Sequence, residues 1–168
     1  MTFLTASAVF STANIDINLQ RRYLQAAGMN TQMAGQPFQN PLQKKTYNWE
    51  GKTVLIAEDE EFNFLYLREI LAPTKVRVIR ALDGEMAVNI CQTEKIDIVL
   101  MDIKMPRMNG LEATKLIRTF NEGLPVIAQT AYAMVEDSEK CLGAGCTHYL
   151  TKPISSKVLL GLVEQYLK

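Results

Sequence analysis

A single histidine and three cysteines are all that this chain carries of the side chains that most often ligate transition metals. Cys91, Cys141 and Cys146 are odd in number and stand at no metal-type spacing. They read as reduced, mostly buried thiols of a cytosolic protein. An excess of one charge is missing too: 18 Lys and Arg balance 18 Asp and Glu. Without a basic field, nucleic acid is not an expected partner. No apolar run reaches the roughly 18 residues that a membrane span needs, so no membrane contact is expected. The N-terminus, MTFLTASAVFSTAN, lacks a basic region and is broken by Thr and Ser, so no secretory leader is expected and the localisation reads as cytoplasmic. What the chain does have is apolar mass. Hydrophobic residues make up 48% of 168, enough for the core of one ordinary domain with an extension.

The extension is residues 1–50. Its charges are limited to Asp16, Glu50, Arg21, Arg22, Lys44 and Lys45, and Gln and Asn are frequent. Pro37 and Pro41 bracket a polar stretch, and residues 31–48 read as a linker. Ile15, Leu19 and Tyr23 recur at helical spacing with Leu24 alongside, so one short amphipathic helix competes with a largely irregular segment. Such a helix would pack on the domain, pair two copies into a homodimer, or be the remnant of an upstream domain. The rest of the chain, residues 51–168, is mildly acidic and is the expected domain.

From Lys52 the pattern is regular. Apolar, β-branched runs of strand length are Thr53 to Ala57, Val76 to Ile79, Ile98 to Met101, Val126 to Gln129 and Thr147 to Leu150. Helical patterns follow each one: Phe62 to Leu71, Met86 to Cys91, Leu111 to Phe120, Ala133 to Leu142, and a last helix with Ser155 as N-cap. Asp83-Gly84 and Asn109-Gly110 read as turns. Alternation of this kind predicts an α/β fold, a flavodoxin-like, doubly wound, five-stranded parallel sheet in the order 2-1-3-4-5.

In such a sheet, ligands bind beyond the C-terminal ends of the strands. Strand one is followed by Glu58, Asp59, Glu60 and Glu61, strand three by Asp102, strand four by Thr130, and strand five by Thr151, Lys152 and Pro153. Any one of these is ordinary solvated polarity. Strands one, three, four and five are neighbours in the predicted order, so Asp59, Asp102, Thr130 and Lys152 converge on one crevice. Carboxylates in close company either retain a proton or bind a cation. An all-oxygen set without His or Cys favours a hard ion, and Mg²⁺ suits few protein ligands and an open side for phosphate. An ammonium and a hydroxyl beside one carboxylate match the needs of a phosphoryl group carried on an aspartate nucleophile.

With VLIAEDEEFN, IVLMDIKMPRMNG, PVIAQTAYA and HYLTKPI in this order and spacing, the chain from about Lys52 to Lys168 resembles a response-regulator receiver domain of two-component signalling. MDIKMPRMNGLEATKLIR and AGCTHYLTKPI are most similar to receivers at the C-termini of hybrid sensor histidine kinases. The resemblance implies that Asp102 is the phosphoacceptor. It implies that Asp59 ligates Mg²⁺ directly, Glu58 through water, and Lys104 through its backbone carbonyl. Thr130 matches the switch hydroxyl, Lys152 the phosphate-pairing lysine, and Tyr149 the switch aromatic that turns inward. The Lys152-Pro153 bond is expected to be cis. Two departures stand out. Glu58 replaces an Asp often found there, which lengthens the reach to the metal, and Lys104 puts a cation beside the pocket.

The implied function is Mg²⁺-dependent transfer of a phosphoryl group to Asp102 from a phosphohistidine of a sensor histidine kinase or histidine-phosphotransfer domain. That transfer would switch a protein-contact face, in a single-domain regulator or a hybrid-kinase receiver. The chain stops after the last helix, so its output is expected to be a protein contact, an upstream domain or onward phosphotransfer. It is not expected to be an enzyme in the ordinary sense. A cofactor-binding flavodoxin-like module would need a Ser/Thr/Gly-rich loop where EDEE stands, and that run repels phosphate. An aspartate-nucleophile phosphatase would need a carboxylate at position 104, which is Lys. A scaffold that is never phosphorylated would have no need of the intact set. His148 reads as a surface or partner-contact residue, and Met101, Met105 and Met108 as packing.

Overall fold

Short apolar runs that hide both faces favour a parallel sheet covered by helices on each side. In the computed structural model the chain is described over residues 45–131 and 135–167, apart from the side chains of 135–138. Among these residues the strands are β1 (Thr53–Ala57), β2 (Arg77–Ala81), β3 (Ile98–Asp102), β4 (Val126–Thr130) and β5 (His148–Thr151). All neighbouring pairs are parallel, in the order β2-β1-β3-β4-β5, as the alternation requires. The helices are α1 (Glu61–Leu71), α2 (Gly84–Thr93), α3 (Gly110–Phe120), α4 (Val135–Gly143) and α5 (Ser156–Val163). The amphipathic helix expected around Ile15 to Leu24, residues 31–44 of the expected linker, and Ala133 at the expected start of α4 lie outside the described residues.

The period-two alternation of each strand divides the core. Val54, Ile56, Ile98, Leu100 and Ile127 face one side, with Leu67 and Leu71 of α1 and Leu159 and Val163 of α5. Leu55, Ala57, Val99, Met101 and Val126 face the other, with Ala87 and Cys91 of α2 and Ala113 and Ile117 of α3. Ala128, Cys141 and Cys146 form a smaller cluster that includes α4. The three cysteines are buried and form no disulfide. Met101 is fully buried, with Met105 and Met108 packed against its cluster.

Some boundaries differ from the sequence-based expectation. β2 runs on to Ala81 because pairing continues until Ala81 lies opposite Ala57. Its arginines hid that from an apolar count. Asp83 is a helix cap as well as a turn residue: its side chain accepts from the Met86 N–H at 2.7 Å, so α2 opens at Gly84. The compact unit begins at Thr46. Trp49, 5% exposed, sits in the α1/α5 core with Tyr47 packed against it, and both precede the change in composition at residue 51.

Candidate functional site

Register decides what meets at the C-terminal edge. Ala57 lies opposite Met101, so Glu58 and Asp102 emerge side by side from β1 and β3. Thr130 closes β4 opposite Thr151, and Lys152 follows at the end of β5. Two strand spacings, roughly 10 Å, separate β5 from β3. The four-carbon stem of lysine, the Asp102 side chain and a 2.8 Å hydrogen bond together cover that distance. The Lys152 ammonium donates to Asp102 Oδ2 and to Glu58 Oε2, each at 2.8 Å. Asp59, Asp102, Lys104, Thr130 and Lys152 line one cleft of about 350 Å³. Glu58 lies beneath it, with no solvent exposure. Tyr149 is not among the lining residues and is 43% exposed. His148 is exposed, edge-on to Tyr166 with ring centroids 6.4 Å apart.

The loop after β3 holds Asp102 in place. The Gly110 N–H donates to the Ile103 carbonyl at 3.0 Å, and the chain passes so near β3 that a Cβ at Gly110 would collide with the Asp102 carbonyl. Asn109 caps α3, its Oδ1 accepting from the N–H groups of Leu111 and Glu112 at 3.0 Å each. The Lys104 N–H donates to Asp102 Oδ1 at 3.3 Å. Arg107, at φ +61°, pairs with the buried Asp83, and the Gly84 N–H donates to the Met108 carbonyl at 3.0 Å, tying this loop to α2. The Lys152-Pro153 peptide is cis.

Carboxylates crowd this edge of the sheet. Carboxylate oxygens of Glu58, Asp59 and Asp102 lie within 4.8 Å of one another. The Lys152 ammonium bonds two of the three, Glu58 and Asp102, and Lys104 and Lys140 also line the cleft. Burial pushes the Glu58 carboxyl above its ordinary value. Its bonds from Lys152 and Asn63 oppose this, and the Asp102 charge adds to it. Burial pulls on Lys152 in the opposite sense, but its bonds to Asp102 and Glu58 win and hold it above its ordinary value. Opposite ligands of a Mg²⁺ octahedron stand about 4 Å apart, so this oxygen-only cup of three carboxylates fits a hard divalent ion with little adjustment.

Sequence reasoning passed over Asn63, whose Nδ2 donates to Glu58 Oε1 at 3.0 Å. It stands inside the quoted VLIAEDEEFN run, on the first turn of α1, where its direction depends on the helix entry angle. The sharing of Lys152 by two carboxylates was also hidden, because it depends on side-chain reach across β4.

A doubly wound parallel sheet carrying an acidic cup and an ammonium at its switch point defines an α/β fold whose site is suited to phosphoryl groups. The family model for the response regulator receiver domain matches residues 54–164. The chain belongs to that family, the receiver domains of two-component signalling, and is a signalling domain rather than an ordinary enzyme. The polar-differentiation response regulator DivK of Brucella anthropi is 36% identical over 118 residues, 69% of this chain and 96% of the relative. The receiver domain of the sensor histidine kinase PA1611 from Pseudomonas aeruginosa, with a magnesium ion coordinated in its active-site cleft, is similar at a TM-score of 0.66. It is 33% identical, over 70% of this chain and 98% of that one. A chain in the co-crystal structure of the Saccharomyces cerevisiae histidine phosphotransfer protein Ypd1 with the receiver domain of its downstream response regulator Ssk1 is similar at a TM-score of 0.67. It is 30% identical, over 73% of this chain and 91% of that one. Among the described residues no helix is long and apolar enough to cross a membrane.

Proposed function

We propose that Asp102 accepts a phosphoryl group from a phosphohistidine of a sensor histidine kinase or histidine-phosphotransfer protein in the cytoplasm. The observation that carries this reading is the Lys152 ammonium held 2.8 Å from Asp102 Oδ2 at the wall of an open acidic cleft. An Asp102 oxygen attacks the phosphorus. The new P–O bond forms as the P–N bond breaks, and its electron pair returns to the imidazole. Glu58, Asp59, Asp102 and the Lys104 carbonyl would hold Mg²⁺, which supplies charge neutralisation to the phosphoryl oxygens. Lys152 shifts from Glu58 towards a phosphoryl oxygen, and the Thr130 hydroxyl donates to another. Tyr149 follows Thr130 inward, which repacks the surface of α4, β5 and α5 as a shift between two populations. The magnesium in the PA1611 receiver and the pairing of Ssk1 with Ypd1 support the metal and the class of partner. Residues 51–168, extended back to Thr46, are the proposed signalling unit.

Incubation with acetyl phosphate and Mg²⁺ followed by intact-mass measurement tests this. One phosphoryl mass is expected on the protein, none on Asp102→Asn and none after chelation. Equal labelling of Asp102→Asn, or labelling indifferent to chelator, would overturn the reading.

A further inference from the structure

Arg80 stands on β2 opposite Ile56 of β1, with its side chain 19% exposed. Its guanidinium reaches over the loop that joins β1 to α1. Nε donates to the Glu58 carbonyl at 3.2 Å, and Nη2 donates to the Asp59 carbonyl at 3.0 Å. Nη1 pairs with Glu61, and the Phe64 ring lies 4.5 Å below the guanidinium carbon. Each guanidinium nitrogen is engaged, and one planar group grips two consecutive peptide units. Lysine, a point charge on a flexible stem, does not offer that fork.

We infer that Arg80 is a positioning residue for the metal-holding loop. Its fork fixes the backbone of Glu58 and Asp59, and thereby aims their carboxylates into the cup. The inference rests on the reading of that cup as a Mg²⁺ site. Two effects of Arg80 oppose each other: fixing the loop strengthens metal binding, and a nearby cation weakens it. Glu61 answers the charge directly, and solvent ions screen the remainder over about 10 Å. Outer-shell partners that orient ligands typically contribute about ten- to a hundred-fold in metal affinity, so geometry is the larger effect.

Calorimetric titration of the unphosphorylated protein with MgCl₂ decides the matter, using Arg80→Lys and Arg80→Met. Both variants are expected to bind Mg²⁺ about ten- to a hundred-fold more weakly. The Mg²⁺ concentration that half-saturates acetyl-phosphate labelling is expected to rise by the same factor. Cooperative thermal unfolding in chelator confirms that each variant is folded. Arg80→Lys keeps the charge and most of the stem, so it remains decisive if Arg80→Met does not fold. Unchanged affinity in folded Arg80→Lys, or tighter binding in Arg80→Met alone, would mean that Arg80 acts only as a charge and would overturn the inference. Absence of Mg²⁺ binding by the unaltered protein would instead overturn the metal site itself.

Discussion

Replacing Lys152 by Met keeps most of the stem and removes the ammonium that joins Glu58 to Asp102. Two 2.8 Å charge-assisted hydrogen bonds are lost. Bonds to charged groups contribute about 1.5–3 kcal/mol each, and breaking a buried pair costs about 3–5 kcal/mol. Glu58 has no exposure and bears the full desolvation cost, whereas Asp102 opens on the cleft and is partly relieved by water. The expected loss of stability is therefore about 3–5 kcal/mol near pH 8. A proton can replace part of what the ammonium did. Glu58 is already held above its ordinary value of 4.5 by burial, and without Lys152 it rises further. Between that ordinary value and the raised one, the folded state binds a proton that the unfolded chain has released, so stability falls as pH rises. The deficit of the variant is thus smallest at the acid end of this window and grows towards neutrality. Urea unfolding followed by Trp49, the single tryptophan and 5% exposed, reads the midpoint directly. Equal midpoints for the two proteins near pH 8, or a deficit that widens towards acid pH, would refute the argument.

Gly110→Ala drives a methyl group into the Asp102 carbonyl, and overpacking of this kind costs about 1–3 kcal/mol or more. A folded variant with an unmoved unfolding midpoint would show that the β3–α3 loop has slack. Burial pushes the Cys91 and Cys146 thiols up to about 11, so a neutral alkylating reagent at about pH 8 is expected to modify them only in denaturant. Rapid modification of either in the native state, read by peptide mass, would contradict their enclosure.

How much of this was legible in advance divides along a physical line. Strand and helix periods are local, so the five β-α units followed from apolar spacing, and their order from the flavodoxin-like arrangement common to five-stranded doubly wound sheets. The same order placed Asp59, Asp102, Thr130 and Lys152 on one edge, because a residue that follows a parallel strand must emerge there. Trp49 was missed as core because only two aromatics, with no period, mark the segment before β1. Asp83 read as a turn residue because a cap and a turn share the same side chains.

Sequence by itself therefore determined the topology and which strand ends meet at the crevice, since both follow from alternation along the chain, while Glu58 joined the cup through the resemblance to receiver domains. Tertiary structure alone decided how the charges are shared: Lys152 between two carboxylates, Asn63 on Glu58, Arg80 across the loop that carries Glu58 and Asp59. Those contacts join residues on different elements, and their existence depends on side-chain reach and strand register rather than on any period that a single segment displays.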